Sequence, residues 1–343
     1  KAMLPADLCH EKLKETIKPS LAYDENKDFD TWREQVREKL TQLLGDMPTE
    51  RCDLNIRVEW EKEHETFYEK RILFTSEENV DIPCHLWVPK NVQLPCPVAI
   101  CLQGHTTGMH ISLGKTVYPQ DAAYITGGDR DLAVQAIQNG FAALSLEMRG
   151  FGELKSRIQL DNEPNAETTC AHPAMTALLM GRTLIGERVW DVSRAIDLLE
   201  TMPEVIDTKK ILLTGQSGGG TATYYTACME PRITMAMPCC SICSYQRSIL
   251  WRQHCVCNYI PNIAKYVDMG DLACLIAPRP LAIIAGVKDP DFHIDGSREI
   301  AQTVQKIYDK VGASHNFRLL EGPEGHRYYA SLAWPAVREM FDK

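Results

Sequence analysis

The sequence predicts an α/β fold: a mostly parallel central sheet flanked by helices, with an N-terminal helical extension and antiparallel edge strands. Two observations carry this. From residue 97 onward, short apolar runs alternate with amphipathic segments, the rhythm of parallel strands joined by right-handed crossovers. Before residue 97, alternation of apolar and polar residues marks antiparallel strands instead.

The elements follow in order. Phe29, Trp32, Val36, Leu40, Leu43 and Leu44 recur at helical spacing, with Asp28 as cap and Gly45 then Pro48 as stops. Residues 1–50 therefore read as a helical extension packed on the main core, which spans 51–343. Leu54, Ile56, Val58 and Trp60 alternate as in a half-buried strand, and Phe67–Phe74 and Ile82–Val88 read as two more. Further strands are predicted at 97–103, 141–147, 210–214, 234–239, 280–286 and 316–321. Helices are predicted near 129–139, 187–201, 218–229, 296–311 and 328–341. Residues 241–275 break the alternation and read as an insertion that could cover a site.

Composition narrows the function. The 343 residues carry a formal charge of -9, which disfavours a phosphate backbone or an anionic membrane as partner. No apolar stretch is long enough to span a bilayer. The 13 cysteines are odd in number and several sit inside apolar runs, so they read as core thiols in a reducing, cytoplasmic setting; a leader already cleaved stays open.

One motif carries chemistry. Ile211-Leu212-Leu213-Thr214 fits a buried strand, and Gly215-Gln216-Ser217-Gly218-Gly219 follows at once, ahead of a helix. This is G-x-S-x-G in its strand–turn–helix context, where a strained turn lifts the serine hydroxyl above the sheet and the helix N-terminus faces developing negative charge. A serine nucleophile needs a base. His326 lies on the loop after the last predicted strand, while His315 precedes that strand and reads as structural or exposed. Asp289 follows the strand 280–286 and can orient the histidine, with Asp291 and Asp295 as rivals; Asp295 fits a helix cap better. The order Ser217, Asp289, His326 suits such a fold. Backbone N–H groups of Gly218 and His105, the latter after Gly104, are the expected oxyanion donors.

With these residues in place, the chain resembles the α/β-hydrolase superfamily, nearest to bacterial acetyl xylan esterase-like and dienelactone hydrolase-like branches. The likeness rests on Leu102-Gln103-Gly104-His105, Arg149-Gly150-Phe151-Gly152-Glu153, Gly181-Arg182-Thr183 with Trp190-Asp191, Gly215 to Gly219, Gly286-Val287-Lys288-Asp289 and Gly325-His326. It implies an α/β-hydrolase catalytic domain, a Ser217–Asp289–His326 triad and an oxyanion hole at His105 and Gly218. The dienelactone hydrolases use Cys as nucleophile; Ser217 points to ordinary ester cleavage. The expected substrate is a small-molecule ester of short acyl chain, such as an acetyl ester of a carbohydrate, with no cofactor. Gln103, Gln216, Arg149, Glu153, His254 and Tyr259 are candidate pocket residues, although Glu147, Arg149 and Glu153 read first as a structural ion pair. Cys239, Cys240, Cys243, Cys255, Cys257 and Cys274 crowd together near His254. Cys255 and Cys257 are spaced C-x-C and no C-x-x-C pair repeats, so thiols lining core or pocket are preferred over zinc. A serine peptidase or acyltransferase, an inactive binding protein, and a homo-oligomer all remain open alternatives.

Overall fold

Among the described residues nine strands build one sheet: β1 (Arg57–Glu63), β2 (Phe67–Glu77), β3 (Val80–Pro89), β4 (Cys96–Leu102), β5 (Ala142–Leu146), β6 (Ile206–Gln216), β7 (Met235–Cys239), β8 (Leu281–Gly286) and β9 (Phe317–Gly322). Their spatial order is β1-β2-β3-β5-β4-β6-β7-β8-β9. The computed structural model describes residues 3–341. Strands β1, β2 and β3 form an antiparallel meander, β3 pairs antiparallel with β5, and every later neighbour pair is parallel. The predicted parallel sheet with antiparallel edge strands is what the chain forms.

The helices are α1 (Leu8–Thr16), α2 (Phe29–Leu44), α3 (Asp121–Ile125), α4 (Leu132–Gln138), α5 (Arg157–Asn162), α6 (Ala171–Leu179), α7 (Leu184–Glu200), α8 (Gly218–Met229), α9 (Ile294–Lys310) and α10 (Ala330–Met340). Strand β4 shows why the parallel strands read as unbroken apolar runs. Val98, Ile100 and Leu102 enter a core shared with α2, α7, α8 and α9, while Ala99 and Cys101 enter a second core shared with α4 and α10. Both faces are covered, so neither can be polar.

Helix α2 starts and stops as its sequence dictates. The Asp28 side chain accepts from the Thr31 amide at 2.9 Å, and Gly45 takes over at φ 100° beyond the last turn. Trp32, Val36, Leu40 and Leu44 are buried on one face. The expectation for β1 needs correcting. Its period-two pattern is present, but every residue is exposed, Trp60 by 42%. β1 is an edge strand; Trp60 meets the His85 ring edge-on, and Leu54, before the strand, packs against the apolar core. Asp295 likewise does not cap α9. The His293 ring accepts from the Asp295 amide, and Asp295 sits in the first helical turn.

The 13 cysteines form no disulfide, and no described helix is long and apolar enough to cross a membrane. Leu40 is 1% exposed in the core beneath α2. Leu40→Ala is expected to lower unfolding stability by about 2–5 kcal/mol, read as a shifted urea midpoint.

Candidate active site

The site forms at the carboxyl ends of the parallel strands. β6 pairs with β4 as far as Leu102 opposite Gly215, then turns sharply into α8. Ser217 occupies that turn at φ 56°, ψ -121°, a conformation that costs a non-glycine residue energy. The turn is held from both sides: the Ser217 amide donates to the Cys239 carbonyl at 2.9 Å, and the Thr221 amide donates to the Ser217 carbonyl at 2.8 Å. Close approach of backbones explains the glycines. A Cβ on Gly219 would lie 2.0 Å from the Leu102 carbonyl oxygen. One on Gly104 would lie 2.6 Å from Gln216 Oε1 and 3.1 Å from the Ser217 Cβ. Glycine at both positions lets the loop after β4 rest against the turn.

Asp289 and His326 arrive on the loops after β8 and β9. These loops are tied together, with the Val287 amide donating to Gly322 and the Lys288 amide to Glu324. His326 Nδ1 lies 2.8 Å from Asp289 Oδ2. The other Asp289 oxygen accepts from the Asp291 and Phe292 amides at 2.8 and 3.2 Å, which fixes the carboxylate. Asp291 is 3.9 Å from the same ring nitrogen and pairs with Arg252 at 3.0 Å. Among the rivals, Asp289 is the one bonded to His326.

Ser217 and His326 line one cleft of about 360 Å³, together with His105, His254, Arg130 and Asn258. The segment 253–258 of the predicted insertion forms one wall, anchored where Thr221 donates to Asn258 Oδ1 at 3.1 Å. Arg130, which no sequence motif marks, has no carboxylate partner among the described residues. Its Nη2 donates to the His326 carbonyl at 3.2 Å, its guanidinium lies over the Tyr124 ring, and its buried Nε has no partner among the described residues. Arg130 falls at the start of the helix predicted near 129–139, but α4 begins only at Leu132, so Arg130 lies on the preceding loop that reaches the cleft.

Other expected pocket residues lie elsewhere. Arg149 is off the cleft wall, bound to Asp191 at 2.8 Å and paired with Glu77 and Glu187. Glu153 is off it too, held by both terminal nitrogens of Arg71 at 2.9 and 2.7 Å. In each case a nearby opposite charge captures the side chain, so both sit in structural ion pairs, but with Asp191, Glu77, Glu187 and Arg71 rather than with each other. Glu147 has no cationic partner among the described residues. Tyr259 stands behind the wall, its hydroxyl accepting from the His254 amide at 3.3 Å. Gln103 and Gln216 are buried and do not line the cleft; Gln103 donates to Glu147 at 2.5 Å, and neither Gln216 amide atom has a partner among the described residues. His315 is exposed.

The fold and this site define an α/β-hydrolase. The Abhydrolase family model matches residues 5–322, and the chain belongs to that family. It is 25% identical over 309 residues to the Bacillus subtilis (strain 168) protein described as "Putative hydrolase YtaP", covering 89% of this chain and 98% of that one. It is 31% identical over 182 residues to 4-O-methyl-glucuronoyl methylesterase 1 of Wolfiporia cocos (strain MD-104), covering 45% and 44% of the two chains. Among solved structures, a "putative acetyl xylan esterase" of Bacteroides fragilis NCTC 9343 shares the fold at TM-score 0.75 and 15% identity, covering 94% of this chain and 83% of that one.

The loop below the site has its own titratable group. The fully buried Glu147 carboxyl accepts from Gln103, from the Met109 amide and from the Glu153 amide. Burial pushes it up from 4.5 to about 7, and the Met109 and Glu153 amides oppose that rise only in part. A carboxyl that binds its proton more tightly when folded favours folding in acid. That contribution is complete below 4.5 and is lost as pH rises through about 7. Urea midpoints measured across this window should fall with pH in the parent protein and flatten in Glu147→Gln. An unchanged slope in the variant would refute the assignment.

Proposed function

We propose that this α/β-hydrolase, a carboxylic ester hydrolase by its kinship, cleaves short-acyl esters of carbohydrates through Ser217, His326 and Asp289. The single observation that carries the proposal is the shared cleft of Ser217 and His326, with Asp289 bonded to the far ring nitrogen of that histidine. Asp289 holds Nδ1–H, leaving Nε2 to take the Ser217 proton as its oxygen attacks the ester carbonyl. The amides of Gly218 and His105 donate to the developing oxyanion; neither has an acceptor among the described residues. His326 returns the proton to the departing alcohol. Water then repeats the sequence on the acyl-enzyme and releases the acid. No step calls for a cofactor, and the partner is the small-molecule ester itself.

The cleft wall favours a hydroxylated alcohol portion. His105, Tyr124, Arg130, Gln253, His254 and Asn258 offer polar atoms around Ser217, with Phe292 the chief apolar surface. An acidic sugar would give Arg130 the counter-charge it lacks. The sequence likeness to a glucuronoyl methylesterase favours a second reading within the same reaction class, in which the sugar is the acyl part and methanol leaves.

Ser217→Ala is expected to lose about 10⁶-fold in kcat with its circular dichroism unchanged. Asp289→Asn should lose about 10⁴-fold, since the histidine then adopts the wrong tautomer. Full activity in Ser217→Ala would overturn the proposal. Acetylated xylo-oligosaccharides and methyl glucuronate, assayed in parallel for acetate and methanol release, separate the two substrate readings.

A further inference from the structure

Beside the cleft, four side chains from three separate parts of the chain converge. His105 comes from the loop after β4, Cys170 immediately precedes α6, and Cys255 and Cys257 come from the insertion. One imidazole nitrogen and three sulfur atoms all lie within 4.8 Å of one another. His105 Nε2 is 3.2 Å from Cys257 Sγ, and Cys257 Sγ is 3.4 Å from Cys255 Sγ. Cys170 interacts with both of the other thiols.

We propose that these residues bind one zinc ion in a closed, structural Cys3His site. Zn–S bonds of about 2.3 Å and Zn–N bonds of about 2.0 Å around a tetrahedron require ligand–ligand edges of roughly 3.5–3.8 Å. The two contacts of 3.2 and 3.4 Å lie within a few tenths of an ångström of such edges, and the remaining separations are all under 4.8 Å. The donor set is that of a structural zinc finger rather than of a catalytic zinc, because all four positions are taken by protein.

Charge supplies an independent argument. Arg188 is 1% exposed and has no carboxylate partner among the described residues. It donates to the Arg149 carbonyl at 3.1 and 2.6 Å, and to Cys170 Sγ at 3.3 Å. A buried guanidinium without counter-charge is costly. Zn²⁺ with three thiolates and a neutral imidazole carries one net negative charge, which Arg188 balances while donating a hydrogen bond to a ligand sulfur. On binding, the three thiols release their protons to solvent and the metal takes the vacated lone pairs. Arg188 also packs on Phe151, whose ring meets the edge of His105, so the histidine is oriented from its other side.

The ion would join the loop carrying His105, the start of α6 and the wall of the cleft. The metal assignment stands whether or not the esterase reading does, because its test reads metal. Protein produced with zinc in the medium and purified without chelators should carry about one zinc per chain by mass spectrometry of the digested sample. Cys170→Ser and Cys257→Ser should each carry less than a tenth of that. Chelator-stripped parent protein, titrated with Co²⁺, should develop the intense visible bands of tetrahedral thiolate-bound cobalt. The stripped parent needs no variant to fold, so it decides the matter by itself. A parent that holds no zinc and shows no such bands overturns the proposal, as does full zinc retention in a folded Cys257→Ser.

Discussion

The contact between the end of β4 and the turn after β6 governs the rest of the site. The two strands pair in register to Leu102 and Gly215, and beyond that point their backbones have no room for side chains between them. Glycine at 219 lets the first turn of α8 slide under the Leu102 carbonyl, and glycine at 104 lets the next loop lie against Gln216. This contact brings the His105 ring against Gly218, where a Cβ would lie 2.8 Å from it. It also holds Ser217 in a backbone conformation that an isolated peptide would leave at once. The strain is balanced by hydrogen bonds from outside the turn, notably to Cys239 on the neighbouring strand.

The interior around the Arg149–Glu153 segment sorts charges by whether they find partners. Arg149 and Arg182 share Glu77 and Glu187, with Asp191 completing a half-buried network that fastens α7 to β2. Two residues away, Glu147 is alone with amide donors and keeps its proton more readily. Arg188 is alone with carbonyl and sulfur. A network of paired ions is a scaffold, whereas lone buried charges mark places where something else completes the balance.

Much of this was legible in the sequence, for physical reasons. Strands buried on both faces must be apolar throughout, so β4 to β8 stand out as short runs. G-x-S-x-G is written by the same backbone contact that shapes the turn. Asp289 and His326 were found by position, since each follows a strand on the side where Ser217 emerges. The rest depends on distance through space. β1 has a strand's alternation, but no local pattern tells that it stays exposed. Arg149 and Glu153 follow a strand end near the site, and only the placement of Asp191 and Arg71 shows why they point away. Segments 103–131 and 147–183 contain α3, α5 and α6, short helices whose periodicity is too brief to register. His105, Cys170, Cys255 and Cys257 span 153 positions, so the crowding of cysteines in 239–274 pointed to the right neighbourhood but included only two of the four residues.

The open edge of the sheet has a further consequence. β1 shows unpaired backbone groups to solvent along one side, with Val58 and Trp60 exposed among them. Such an edge invites another chain to extend the sheet. Here the register slips between Val58 and Trp60, and Arg57, Glu59, Glu61, Lys62 and Glu63 crowd the same seven residues. A bulged, highly charged border is a poor template for a second strand. The molecule therefore guards this edge against fibrillar stacking, at the end of the sheet opposite β8 and β9, which carry the Asp289 and His326 loops.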